Sequence, residues 1–266
     1  MESERTGRTP ARVSARDDGV RRPGGDAVSV FVDNDGVRLH ALDNGRVSDS
    51  PPVVVIPGMG EYADEYAWML DRLGDRRVVV ADLRGRGRSD APHTGYAWED
   101  HIGDLRAVAE ALELERPILV AISRGSSYAL GYALRFPDRL SGLVVGDYSA
   151  RHVGLPAEYA EQQLRMKVRG VPVAERMPEH AVRAVIAESR EAPLWDRLVE
   201  LRCPVLVLRG GRRGRVLTDE LAEQWRTSLP SVEMATIAGA GHDLWSRDPD
   251  AYLAALLPFL DRISPD

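Results

Sequence analysis

Six short apolar runs recur along the chain, separated by segments with helical composition. The runs are "PVVVIPG" (52–58), "RVVVADLRG" (77–85), "PILVAIS" (117–123), "LSGLVVGD" (140–147), "PVLVLRGG" (204–211) and "VEMATIAGAGH" (232–242). A half-exposed strand would alternate apolar and polar residues. These runs are too uniformly apolar for that and fit strands covered on both faces. The intervening segments 63–73, 97–113, 124–136, 218–228 and 249–262 read as helices. Strands alternating with helices predict an α/β fold, a mostly parallel central sheet with helices on both faces. Ahead of the runs, "VSVFVDNDGVRLHALDNG" alternates around Asn34-Asp35-Gly36, a hairpin signal.

Two stretches depart from this rhythm. Residues 1–26 are charged and rich in Gly, Pro and Arg, and predict a disordered tail. More than fifty residues separate Asp147 from Pro204, far more than one crossover needs. Their composition is helical, broken at Gly170-Val171-Pro172 and at Pro178. We read 149–199 as a small helical lid inserted between two parts of one core, 27–148 and 200–266; the plainer alternative is a long structural connection.

Composition narrows the function classes. With 266 residues, 44% hydrophobic, the chain can bury a sizeable core. A net charge of −6 does not suit nucleic acid or an anionic membrane surface, so neither is expected as a partner. No stretch approaches the roughly 18 apolar residues of a membrane span. The N-terminus has no apolar secretory core. Cys203 is the single cysteine, so no internal disulfide forms, and the expected location is cytoplasmic. Lys167 is the single lysine; the arginine bias fits genome composition better than function. Five histidines besides His242 are scattered and suggest no metal site, and "RGRGRSD" lacks the spacing of a phosphate loop. No cofactor is expected. The expected partner is a small-molecule substrate, and oligomeric state stays open.

The most informative stretch is "ILVAISRGSSYALGYAL". A buried strand ends at Ile122, Ser123 follows, and a helix starts at once. Ala121 and Gly125 are small, as they must be where strand and helix meet at so sharp a turn. A serine there is held above the sheet edge, with helix N–H groups aimed at any developing anion. A plain N-cap serine would look similar.

Three further stretches extend the pattern: "VVVIPGMGEYADEYAWML", "VVVADLRGRGRSD" and "IAGAGHDLW". In this order and spacing they resemble the α/β-hydrolase fold superfamily, its serine-nucleophile branch, over about residues 28–263. The resemblance implies Ser123 as nucleophile and His242 as its base. It implies an oxyanion hole from the backbone N–H groups of Met59 and Arg124. Relatives usually carry histidine where Pro57 stands, a loop-shaping position that leaves the Met59 donor in place.

The catalytic acid is less plain. The family commonly places it just past the strand at 204–210, where this chain has Arg212, Arg213, Gly214 and Arg215. The nearest carboxylates, Asp219 and Glu220, fall in a helical first turn that favours acids anyway. Asp147, at the end of the preceding strand, is the preferred candidate, since some relatives take their acid there. Absence of any acid stays open. The Arg124 guanidinium could grip a substrate carboxylate, or pair with Asp82 or Asp90. Trp245 and Trp195 could line a pocket, although core packing serves any tryptophan here, Trp68 and Trp98 included. The expectation is a hydrolase of an ester, lactone, thioester or activated amide of small to medium, partly apolar size. A non-hydrolytic isomerase, lyase or cyclase on the same fold is the alternative, and a catalytically inactive binding protein a third.

Overall fold

The computed structural model describes residues 13–16 and 27–263. Nine strands form one sheet: β1 (Val13–Arg16), β2 (Val28–Asn34), β3 (Val37–Asp43), β4 (Val53–Ile56), β5 (Val78–Ala81), β6 (Ile118–Ile122), β7 (Gly142–Gly146), β8 (Val205–Gly210) and β9 (Glu233–Ile237). Their order is β1-β2-β3-β5-β4-β6-β7-β8-β9. From β5 to β9 neighbouring strands run parallel, and β1, β2 and β3 add antiparallel pairs at one edge. The hairpin between β2 and β3 closes at Asn34↔Val37, with Asp35 and Gly36 both at positive φ, the tight turn their residue types favour.

The helices are α1 (Trp98–Ala111), α2 (Gly125–Arg135), α3 (Tyr159–Arg165), α4 (Glu179–Ala187), α5 (Asp219–Ser228) and α6 (Pro249–Arg262). The segment expected as a helix over 63–73 is a 3₁₀ helix, Ala63–Asp71. The uniformly apolar runs are explained by period two. Val54, Ile56, Leu119, Ala121, Leu143, Val145, Val205 and Val207 pack toward α1, α2 and α5. Val53, Val55, Ile118, Val120, Val144, Leu206 and Leu208 pack toward Ala63–Asp71 and α6. Both faces are covered, so both phases of each strand must be apolar.

Within the segment expected as a disordered tail, Val13–Arg16 instead pair antiparallel with β2. Without them β2 would be an edge, and an edge strand offers unpaired N–H and C=O groups to any extended segment. The rest of 1–26 lies outside the described residues.

Residues 149–199 contain α3 and α4, joined by a tight hairpin in which Val168 faces Val171 and Arg169 and Gly170 take positive φ. These helices share a small apolar cluster of their own, including Ala160, Val173, Met177, Val182 and Val185. Tyr96 and Met59 pack against it from the core. Among the described residues no helix is long and apolar enough to cross a membrane.

Candidate active site

The strand order reverses around β4, which lies between β5 and β6. Loops leaving β4 and β6 therefore diverge at the carboxyl ends of the strands, where a crevice opens. Ser123 follows β6 with φ 51°, in the left-handed region. Such a conformation costs a non-glycine residue about 1–2 kcal/mol. Its N–H donates to Gly146 O at 2.9 Å and its carbonyl accepts from Ser126 N–H at 2.9 Å, which hold it there. Gly125 is required by the same turn: a Cβ there would sit 2.4 Å from Pro57 O and 2.7 Å from Ile56 O.

One strand over, Asp147 follows β7 with φ 48° and is completely buried. Its N–H donates to Leu208 O at 2.7 Å, tying the turn to β8. The loop after β9 carries His242. Its Nδ1 is 2.7 Å from Asp147 Oδ2, and its Nε2 is 2.9 Å from Ser123 Oγ. A carboxylate only accepts, so the proton sits on Nδ1 and the Nε2 lone pair faces the serine hydroxyl.

The arginine-rich loop after β8 meets this chain of bonds with its backbone. Val216 N–H donates to Asp147 Oδ2 at 2.7 Å, and Leu217 N–H donates to Oδ1 at 3.2 Å. Asp219 is far from that role: it pairs with Arg209 and Arg215, and the Arg209 hydrogen bond, then Arg215, holds its carboxyl below the usual range. Glu220 is exposed in the first turn of α5. The two N–H donors were not legible in the sequence, because a backbone amide leaves no residue signature.

Met59 and Arg124 flank Ser123 on the two diverging loops. Among the described residues neither backbone N–H has a hydrogen-bond partner. Gly58 N–H, by contrast, is taken by Glu61 Oε2 at 2.7 Å. A cavity of about 570 Å³ opens over these groups. Met59, Ile122, Tyr148, Leu155, Tyr159 and Val168 give it a partly apolar wall, several of them from the 149–199 segment.

Neither tryptophan expected in the pocket lines this cavity. Trp245 is buried beneath it against Tyr66 and Trp68, at 5.1 and 5.4 Å between ring centres. Trp195 packs edge-on against Trp225 at 5.6 Å in the cluster on the α5 face of the sheet. Both follow the larger gain available to an indole in an apolar layer.

Arg124 also departs from its expected structural pairing. Asp82 is taken by His40, Ala63 N–H and Arg88 N–H, and Asp90 by Arg38. The Arg124 side chain is buried, and among the described residues it pairs with no carboxylate. It donates to Tyr128 Oη at 3.2 Å, Val153 O at 3.1 Å and His152 Nε2 at 3.0 Å. Since His152 Nε2 must accept, its Nδ1–H donates to Ser127 Oγ at 2.9 Å, and Ser127 Oγ–H donates to Arg124 O at 2.8 Å. Burial, then the neighbouring Arg124 charge, pushes the His152 pKa down to about 3.

At the opposite wall, Arg169 reaches from the 149–199 segment to Glu61 at 2.8 Å, Glu65 at 3.1 Å and Asp243 at 3.0 Å. Its guanidinium lies 4.3 Å over Trp245. Burial works to raise the Asp243 carboxyl, but hydrogen bonds from Arg169 and Ser246 outweigh it and hold the group below its usual range. Among the described residues no group of three or more His, Cys, Asp or Glu side chains is placed to hold a metal ion.

Comparison with known proteins places this geometry in context. The sequence profile described as alpha/beta hydrolase fold matches residues 51–167. A protein assigned as the carbamate hydrolase RutD in Caulobacter sp. (strain K31) is 30% identical, covering 83% of this chain and 94% of its own. N-formylmaleamate deformylase of Pseudomonas putida is 26% identical over 86% of this chain and 95% of its own. Among solved structures, an esterase from Exiguobacterium antarcticum superposes with a TM-score of 0.72 at 20% identity, over 85% of this chain and 97% of that one.

Proposed function

The chain belongs to the α/β-hydrolase fold superfamily, with hydrolases among its relatives, and from that premise we propose that it is a serine hydrolase acting through an acyl-enzyme. One observation carries the reading: an unbroken hydrogen-bonded series runs from Ser123 through His242 to the buried Asp147. In this reading Ser123 Oγ attacks the carbonyl carbon of the substrate while His242 Nε2 takes its proton. Asp147 holds the imidazole in the required tautomer and stabilises it once charged. The oxyanion is met by the uncommitted N–H groups of Met59 and Arg124, each worth about 3 kcal/mol of transition-state stabilisation. His242 then returns the proton to the leaving oxygen, sulfur or nitrogen. Water, activated by the same imidazole, hydrolyses the acyl-Ser123 and restores the enzyme.

The substrate class is an ester, lactone, thioester or activated amide that fits a partly apolar cavity of about 570 Å³. We assign residues 149–199 the role of a lid, because they supply one wall of that cavity while packing around their own small cluster. A cytoplasmic location fits the single cysteine. The non-hydrolytic alternative rested on the missing acid after β8 and on Pro57; the Asp147–His242 contact supports the hydrolytic reading over it.

The test is labelling of the full chain with a neutral fluorophosphonate, read by intact mass. The proposal expects one adduct on the wild type and none on Ser123→Ala. A folded wild type that stays unlabelled overturns it.

A further inference from the structure

We propose that the substrate carries a carboxylate and that the Arg124 side chain binds it; this rests on the serine-hydrolase reading of the same cavity. Burying a guanidinium removes it from water, a cost usually met by a nearby carboxylate. Arg124 is 4% exposed, yet its protein partners are uncharged: the phenol oxygens of Tyr128 and Tyr148, a peptide carbonyl and an imidazole lone pair. These partners satisfy hydrogen bonds and leave the charge whole. The imidazole cannot change that on acidification, since His152 stays neutral down to about pH 3.

The donor count points the same way. A guanidinium has five N–H bonds. One on Nε, one on Nη1 and one on Nη2 are used, and Tyr148 is placed to take a further one, which leaves at least one terminal N–H for a ligand. A charge-assisted N–H donor of this kind suits a carboxylate oxygen. Arg124 borders the cavity alongside Ser123. Its backbone N–H is a proposed oxyanion donor, so the anionic group would lie within one side chain's reach of the carbonyl under attack.

Other charges facing the cavity are accounted for. Arg169, Glu61 and Asp243 line it too, in an ion-pair cluster where Arg169 and Arg176 meet Glu61, Glu65 and Asp243 and no cation is left unpaired. Lys167 is exposed at the rim. Arg124 is the buried cation that lines the cavity with no carboxylate partner among the described residues, and it calls for a single negative charge, which a carboxylate supplies and a phosphate monoester exceeds at neutral pH. The inferred substrate is therefore a small acyl compound with one carboxylate near its scissile bond.

The experiment compares protection of Ser123 from the fluorophosphonate by monomethyl glutarate, which is anionic, and by dimethyl glutarate, its neutral counterpart. On wild type the anion should protect at concentrations lower by about tenfold or more. Arg124→Lys keeps the charge but loses the fork, and Arg124→Gln loses both. In either folded variant the preference should shrink by about tenfold. The wild-type comparison stands even if a variant does not fold. Equal protection by both esters overturns the inference, as does an anion preference that survives in Arg124→Gln. Stronger protection by methyl phosphate than by the carboxylate overturns the choice of anion. If Ser123 does not label at all, the hydrolase reading fails. The inference is then judged by calorimetric binding of the same two esters to wild type, where equal affinity overturns it.

Discussion

His152 and His101 are both fully buried, and each accepts a hydrogen bond from an arginine, Arg124 in one case and Arg86 in the other. Burial drives both pKa values down, His152 to about 3 and His101 well below the usual value. Below about pH 6.5 the unfolded chain takes up protons on these rings that the folded chain refuses. Their contribution to stability is thus complete above that pH and is lost as pH falls below it, for His152 down to about 3. At pH 5, His152 alone should cost about 2 kcal/mol relative to pH 7.5. Urea unfolding at the two pH values measures this, and His152→Gln should flatten the difference by a similar amount. At Asp147 the expected effect is on rate. Asp147→Asn preserves shape but removes the charge that orients His242, and should slow fluorophosphonate labelling or turnover by about 10³–10⁴. Single-residue legibility was uneven for physical reasons. Ser123 and His242 follow strands in short loops with small neighbours, and at Gly125 the close approach of the Ile56 and Pro57 carbonyls leaves no room for a side chain. Trp245 has no such marker, and its burial depends on Tyr66 and Trp68, distant in sequence.

At the scale of elements, the turn from β6 into α2 is a tight joint at the site. Gly125→Ala forces a methyl onto the carbonyls of Ile56 and Pro57, which are backbone and cannot swing aside. A loss of about 1–3 kcal/mol in urea unfolding is expected, together with slower labelling of Ser123. The loop between β8 and α5 offers a complementary test. Val216→Pro deletes one N–H donor to Asp147, while Val216→Ala keeps it. The proline variant should turn over about 10–100 times more slowly than the alanine variant, the difference a hydrogen bond to a charged group makes. Parallel strands and flanking helices were readable from the apolar runs because both sheet faces are covered. The 3₁₀ character of Ala63–Asp71 was not, since its composition suits either helix type. Nor was the pairing of Val13–Arg16, which depends on a free edge elsewhere in the chain.

Across the whole molecule, Arg169 is one clasp between the 149–199 segment and the core, reaching the loops that follow both β4 and β9. Arg169→Met leaves Glu61 and Asp243 without this counter-charge. It should lower Tm by about 5 °C and raise KM more than it changes kcat, with faster amide exchange across 153–176. Unchanged exchange there would deny the segment a lid's mobility. The order of motifs made the overall topology legible. Interactions such as this clasp were not, because they join residues more than seventy positions apart. The loop after β8 carries a last consequence. It holds Asp147 through peptide groups alone, so Arg212, Arg213 and Arg215 owe nothing to that task. Two inheritances are thereby uncoupled. Descendants of this sequence can rewrite the character of that rim freely, trading arginine for acid or alanine, while the support beneath the proposed acid passes on unaltered in the path of the main chain.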